Sequence, residues 1–162
     1  MMYKGLLPDI SDPLTGPFWS SAAEHKLVVQ RCNSCAYLRW PIADLCPVCL
    51  HAESTWTELS GEGTVWSFAV YHRAMHPAFA DAVPYTVATV ELAEGPHMVG
   101  TVLTSTGDAD ADGEVAIGTR VLAVFDAVTP EVTIVRWKPV PGSASRPIQA
   151  PPTTSDLEGE TL

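Results

Sequence analysis

A chain of 162 residues, 46% of them hydrophobic, holds enough apolar material for one packed domain with an appendage. No apolar run approaches the roughly 20 residues that span a bilayer. The formal net charge of −10 and pI of about 4.7 disfavour broad nucleic-acid binding, because such a protein repels a phosphate backbone at long range. A small phosphorylated ligand needs only a few local cations and stays open.

The N-terminus, MMYKGLLPDISDPLTG, lacks the apolar stretch and small-residue cleavage site of a signal peptide, so a soluble, cytoplasmic protein is expected. Residues 1–16 carry Pro8 and Pro13 with few periodic apolar positions and read as an extended arm. Pro17 suits the first turn of a helix, and Phe18, Trp19, Ala22 and Ala23 recur at helical spacing. That stripe could pack on its own domain or anchor a partner. Leu27–Gln30 suits a strand. The N-terminal arm and helix thus cover residues 1–30.

All four cysteines follow within RCNSCAYLRWPIADLCPVC, as Cys32-x-x-Cys35 and Cys46-x-x-Cys49 with ten residues between the pairs. A reducing compartment argues against disulfides. Thioredoxin-like chemistry needs one pair at a helix start, not two pairs bracketing a short loop. The remaining reading is Zn2+ held by all four sulfurs in a closed tetrahedral shell, which leaves no open position and makes the metal structural. Pro47 fits the tight turn of the second knuckle. Ala36 and Leu50 stand where such knuckles often place Gly, so a positive φ must be avoided or tolerated there. His51 could replace a sulfur, but four cysteines already fill the shell. This ribbon covers residues 31–58.

Five β-rich runs come next: GEGTVWSFAVYHRA from Gly61, Pro84–Leu92, His97–Leu103, Gly118–Ala127 and Glu131–Val140. The Glu94–Pro96 turn makes the second and third a hairpin. Five strands suggest a small barrel such as the OB-fold over residues 59–140. Along the first strand, strict alternation puts Trp66, Phe68, Val70 and His72 on one face and Val65, Ser67, Ala69 and Tyr71 on the other. The loop Thr106–Glu114 resembles half an EF-hand, but Thr119 stands where the bidentate Glu is required, so it reads as a solvated acidic loop. Residues 141–162 are rich in Pro, Ser and Thr, acidic at the end, and expected to be disordered alone.

The order of these parts is the mainly-β architecture of helix, rubredoxin-like four-cysteine ribbon and five-stranded OB barrel. On FWSSAAEHKLVVQRCNSC, RWPIADLCPVC, GEGTVWSFAVYHR, VPYTVATVELAEG and GTRVLAVFD, it resembles the acyl-CoA-associated zinc-ribbon/OB-fold family over roughly residues 17–140. The resemblance implies a non-catalytic, cytoplasmic subunit in a hetero-oligomer with a thiolase-superfamily or lipid-transfer-protein-like enzyme. The favoured partner reaction is that of a carbon–carbon lyase: retro-aldol cleavage of a steroid side-chain acyl-CoA in lipid degradation. An acyltransferase partner is the near alternative.

The residues agree in part. Coenzyme A needs cations, a flat surface and an apolar groove. Arg31, Arg39, Arg73, Arg120, Arg136 and Lys138 supply local cations, although each alone reads as an ordinary surface charge. The His72–Phe79 loop, HRAMHPAF, suits a cover for a substrate channel. Its His72/His76 pair precedes Pro77 and is a poor metal site. The candidate acyl-CoA or partner contacts are Phe18, Trp19, Arg39, Trp40, Phe68, His72, Arg73, His76, Phe79 and Tyr85. With every cysteine committed to metal, no thiolase-type nucleophile remains and no catalytic residue is assigned. Two rivals stand beside this reading, with a plain dimerising scaffold behind them. One is a single-stranded nucleic-acid module, for which aromatics are present and a basic groove is not. The other is a free-standing hydratase or thioesterase.

Overall fold

The computed structural model describes residues 6–103 and 115–142; the acidic loop Thr106–Glu114 and residues 143–162 of the tail lie outside them. Among the described residues one helix, α1 (Gly16–Ala23), precedes eight strands: β1 (Leu27–Cys32), β2 (Leu38–Arg39), β3 (Ser54–Leu59), β4 (Glu62–Tyr71), β5 (Tyr85–Leu92), β6 (His97–Val102), β7 (Arg120–Ala127) and β8 (Thr133–Pro139). A 3-10 turn at Pro77–Phe79 sits in the β4–β5 loop. No helix among the described residues is long and apolar enough to cross a membrane.

The five predicted runs form a closed barrel in the order β4-β5-β6-β8-β7, with β7 returning to β4 through Glu62↔Leu122 and Thr64↔Arg120. All pairings are antiparallel except β6 with β8, joined in parallel through Val102↔Trp137. This is the strand order of an OB barrel, and β5–β6 is the expected hairpin. Strand period sets the interior. On β5, Thr86, Ala88, Val90 and Leu92 are buried while the residues between them are not. Met98, Val102, Val121 and Trp137 close the core from the other strands. Trp137 is fully buried, and Gly100 makes the space: a Cβ there would lie 2.8 Å from the indole Nε1.

The structure corrects three expectations of the sequence. The described part of the arm turns rather than extends: Asp12 accepts from the Leu14 N–H and the Thr15 hydroxyl, and its carbonyl accepts from the Gly16 N–H, leading into the helix. β4 does not alternate strictly, because a bulge between Val65 and Ser67 leaves Trp66 without a register partner. The ribbon is also more than two knuckles. β1 pairs with both β2 and β3 in a three-stranded sheet, and β2 and β3 were not read from the sequence. α1 packs against β1, β7 and β8. It buries Phe18 and Ala22 in the same core as Leu27, Val29 and the barrel residues, so its apolar stripe serves the chain's own interior.

Candidate metal centre and exposed aromatic surfaces

The two knuckles are built alike. The Cys32 carbonyl accepts from the Ala36 N–H at 3.0 Å, and the Cys46 carbonyl from the Leu50 N–H at 2.9 Å. The Cys32 and Cys46 N–H groups donate to the carbonyls of Tyr37 and His51, both at 2.9 Å. This wrap forces the residue after each second cysteine into the left-handed region: Ala36 has φ 61° and Leu50 φ 60°. The positive φ is therefore tolerated without glycine, at a cost of about 1–2 kcal/mol per residue.

The four sulfurs all lie within 4.8 Å of one another, with Cys32–Cys49 and Cys35–Cys46 each at 3.6 Å. A tetrahedral zinc shell with Zn–S bonds near 2.3 Å puts its sulfurs about 3.8 Å apart, so the donor set fits the ion. Its titration points the same way. The Cys35 N–H, helped by that of Ser34, pulls the Cys32 thiol down to about 6. Although the Tyr37 N–H favours its thiolate, burial and the adjoining sulfurs push Cys35 up to about 12. Sulfurs this close cannot all ionise without a cation among them. His51 stays outside the cluster, its Nε2 3.8 Å from the Glu53 carboxylate.

Arg39 corrects a sequence assignment. Expected as a ligand contact, it is 1% exposed. One terminal nitrogen donates to the Ala43 and Asp44 carbonyls, and the other to those of Ala52 and Glu53, at 3.1–3.2 Å. It ties the inter-knuckle loop to the start of β3 and has no free face for a phosphate. Gln30, buried on β1, adds its Oε1 as acceptor for the Ala43 N–H. Phe18 is likewise internal, 4.9 Å from Trp19 and 5.0 Å from Trp40 between ring centroids, so these three aromatics join helix to ribbon. Trp19 and Trp40 keep partial exposure.

The remaining predicted contacts fall on two sides of the β4–β5 ladder. Tyr85 stacks on Tyr71 at 5.1 Å and 6°, with Phe79 5.4 Å from Tyr85, on the outer side. Phe68 stands opposite buried Ala88, on the inner side, yet is exposed, which places it at the barrel mouth. His72, Arg73 and His76 are exposed in the loop between these strands. Tyr71, a strand aromatic in the sequence but not a candidate contact there, joins them through its register opposite Tyr85. Unread in the sequence were the exposed apolar knuckle residues, Tyr37, Leu45, Val48 and Leu50, the last 72% exposed. Their signal was present: large apolar groups immediately flanking metal ligands cannot turn inward.

Residues 19–55 match the family described as ChsH2, rubredoxin-like zinc ribbon domain, and residues 56–126 match ChsH2, C-terminal OB-fold domain. The chain is 35% identical over 137 residues to a probable enoyl-CoA hydratase alpha subunit of Thermomonospora curvata, covering 84% of this chain and 41% of that protein. It is 32% identical over 128 residues to a 3-oxo-4,17-pregnadiene-20-carboxyl-CoA hydratase alpha subunit of Mycobacterium tuberculosis, covering 77% and 37%. It thus spans about two fifths of the length of these curated relatives. Among solved structures, a chain of the Ltp2-ChsH2(DUF35) aldolase superposes with a TM-score of 0.70 at 32% identity, covering 82% of this chain and 98% of that one.

Proposed function

This chain belongs to the DUF35 family, a ChsH2-type zinc ribbon joined to an OB-fold, and on that premise we propose that it is a non-catalytic subunit of an acyl-CoA enzyme. It docks on a thiolase-like or lipid-transfer-protein-like partner and contributes a wall to the partner's substrate channel. Cys32, Cys35, Cys46 and Cys49 hold a zinc ion whose part is to crosslink the ribbon. The favoured partner reaction is retro-aldol cleavage of a steroid side-chain acyl-CoA, with the reacting groups on the partner. The aldolase name of the structural neighbour and the pregnadiene-carboxyl-CoA in a relative's name support that choice.

The observation that carries the reading is where large apolar side chains are left in water. Tyr37, Leu45, Val48 and Leu50 are exposed within two residues of the four cysteines, on a ribbon packed inward through β1, α1, Phe18, Trp19 and Trp40. Apolar anchors on a rigid, metal-fixed tip are what a docking surface needs. The aromatic trio Tyr71, Phe79 and Tyr85, with His72, Arg73 and His76 beside it, is the candidate channel wall.

Co-expression with a thiolase-like partner tests this. Val48→Asp with Leu50→Asp should abolish co-purification while metal content and circular dichroism stay unchanged. A complex that survives the pair of charges, or a partner whose solubility and turnover ignore this chain, overturns the reading. A second reading has the partner chemistry as hydration of an acyl-CoA; the two hydratase alpha subunits among the relatives favour it. Assay of the co-purified complex separates the two: hydration converts an enoyl-CoA to its β-hydroxyacyl-CoA, whereas retro-aldol cleavage converts a β-hydroxyacyl-CoA to a carbonyl compound and a shortened acyl-CoA.

A further inference from the structure

The outer edge of the ribbon sheet carries an unsatisfied row of backbone groups. In the order β2-β1-β3, β3 has β1 on one side and no strand among the described residues on the other. The hydrogen-bond phase can be read directly. Cys32 N–H donates to the Tyr37 carbonyl, so even-numbered β1 residues bond β2; Asn33 N–H donates to the Glu53 carbonyl, so odd-numbered ones bond β3. With Arg31↔Thr55, Val29↔Thr57 and Leu27↔Leu59 in register, Thr55, Thr57 and Leu59 spend their backbone groups on β1. The N–H and C=O of Ser54, Trp56 and Glu58 therefore point away from the sheet.

Natural sheets blunt such an edge with proline, lysine, a bulge or a covering element. β3, reading STWTEL, has no Pro or Lys, and its register with β1 runs unbroken over six pairs. An edge left so regular is shaped for another strand.

We infer that β3 pairs antiparallel with β3 of a second copy, about a two-fold axis at Trp56. In that register Trp56 faces its own copy, while Ser54 faces the second Glu58 and Glu58 the second Ser54. All three are positions with outward backbone groups, so each pair exchanges two hydrogen bonds and the six outward N–H groups of the dimer meet the six outward carbonyls. Between them Thr55 faces the second Thr57, and Thr–Thr pairs are favourable across strands. Glu58, the one charged residue of the strand, meets serine and not itself, which matters in a chain of net charge −10. The row is thus self-complementary, as a two-fold interface must be. It gives a six-stranded sheet across two ribbons, and it leaves the knuckle tips free.

Sedimentation equilibrium of the full zinc-loaded chain tests the pairing. Ser54→Glu places glutamate against glutamate twice per dimer; Ser54→Lys places lysine against glutamate twice. From typical cross-strand pair energies, the dimer dissociation constant should rise about three- to tenfold in the first and fall by a similar factor in the second. Ser54→Glu with Glu58→Lys sets opposite charges against each other twice and should bring the constant below the wild-type value, as Ser54→Lys does. In the wild-type protein, amide exchange at Ser54, Trp56 and Glu58 should slow as concentration rises, while Thr55 and Thr57 stay protected throughout. A wild-type chain that remains monomeric, a dimer indifferent to charge at position 54, or concentration-independent exchange at the three outward amides overturns the inference. Each variant's metal content and circular dichroism monitor its fold; should Ser54→Glu not fold, Ser54→Lys and the wild-type exchange data decide alone.

Discussion

Single residues here carry costs that only the folded geometry reveals. Ala36 and Leu50 occupy the left-handed region at equivalent places in the two knuckles. Replacing either with Gly removes a steric cost of about 1–2 kcal/mol and adds about 0.4–1 kcal/mol of unfolded-chain entropy. Ala36→Gly should therefore stabilise the metal-loaded protein by up to about 1.5 kcal/mol, and Ala36→Val should destabilise it, both read from thermal melts. Gly100 is the opposite case. Its missing Cβ is the space that the fully buried Trp137 indole uses, and a methyl 2.8 Å from Nε1 has no flexible neighbour to displace. Gly100→Ala should cost about 1–3 kcal/mol by chemical denaturation. The sequence marks Ala36 and Leu50 as departures from a knuckle pattern, but whether the φ is avoided or endured depends on the carbonyl wrap, which no local pattern encodes. Gly100 gives even less away, because its constraint comes from a residue on another strand.

Among the elements, legibility follows periodicity. The barrel strands were readable as runs rich in β-branched and aromatic residues between turn residues, with full alternation on β5, and the knuckles because thiols at fixed spacing have few other uses. β3 escaped notice because STWTEL is short and mostly polar, and β2 because two residues hold no period. α1 was readable as a helix but not as to which surface its stripe meets. Arg39 shows why composition misleads at this scale: an arginine beside a metal knuckle reads as a surface cation, yet it is the clamp that holds the inter-knuckle loop to β3. Its planar fork spans four carbonyls, a geometry an ammonium cannot copy. Arg39→Lys should lower stability by about 2–4 kcal/mol, since carbonyls in a dry site lose their donors, and should speed metal loss to a chelator. An unchanged rate of loss would show that the loop is held by the metal and not by the clamp.

At the scale of the whole molecule, ribbon, helix and barrel share one core. Phe18, Leu27, Val29 and Leu59 are continuous with Val65, Val90 and Trp137, and α1 touches β1 on one side and β7 and β8 on the other. The metal therefore bears on more than the knuckles. Its removal should lower the melting temperature in a single transition, with barrel and ribbon signals moving together; two separated transitions would show that the barrel stands alone. The same coupling gives metal affinity a predictable pH dependence. An incoming ion must displace the protons its ligands hold. Cys32, drawn down to about 6 by the Cys35 N–H, is mostly thiolate at neutral pH. Cys35, pushed up to about 12, still holds its proton there. Between pH 7 and 8 uptake therefore releases at least the Cys35 proton, and apparent affinity should rise at least tenfold over that unit. Below about 6 the Cys32 proton joins it and the slope steepens, so acid should strip the ion and, through the shared core, weaken the fold with it. Chelator competition at half-unit intervals of pH measures this slope directly; an affinity flat across pH 7–8 would mean that the four sulfurs are already ionised before the metal arrives.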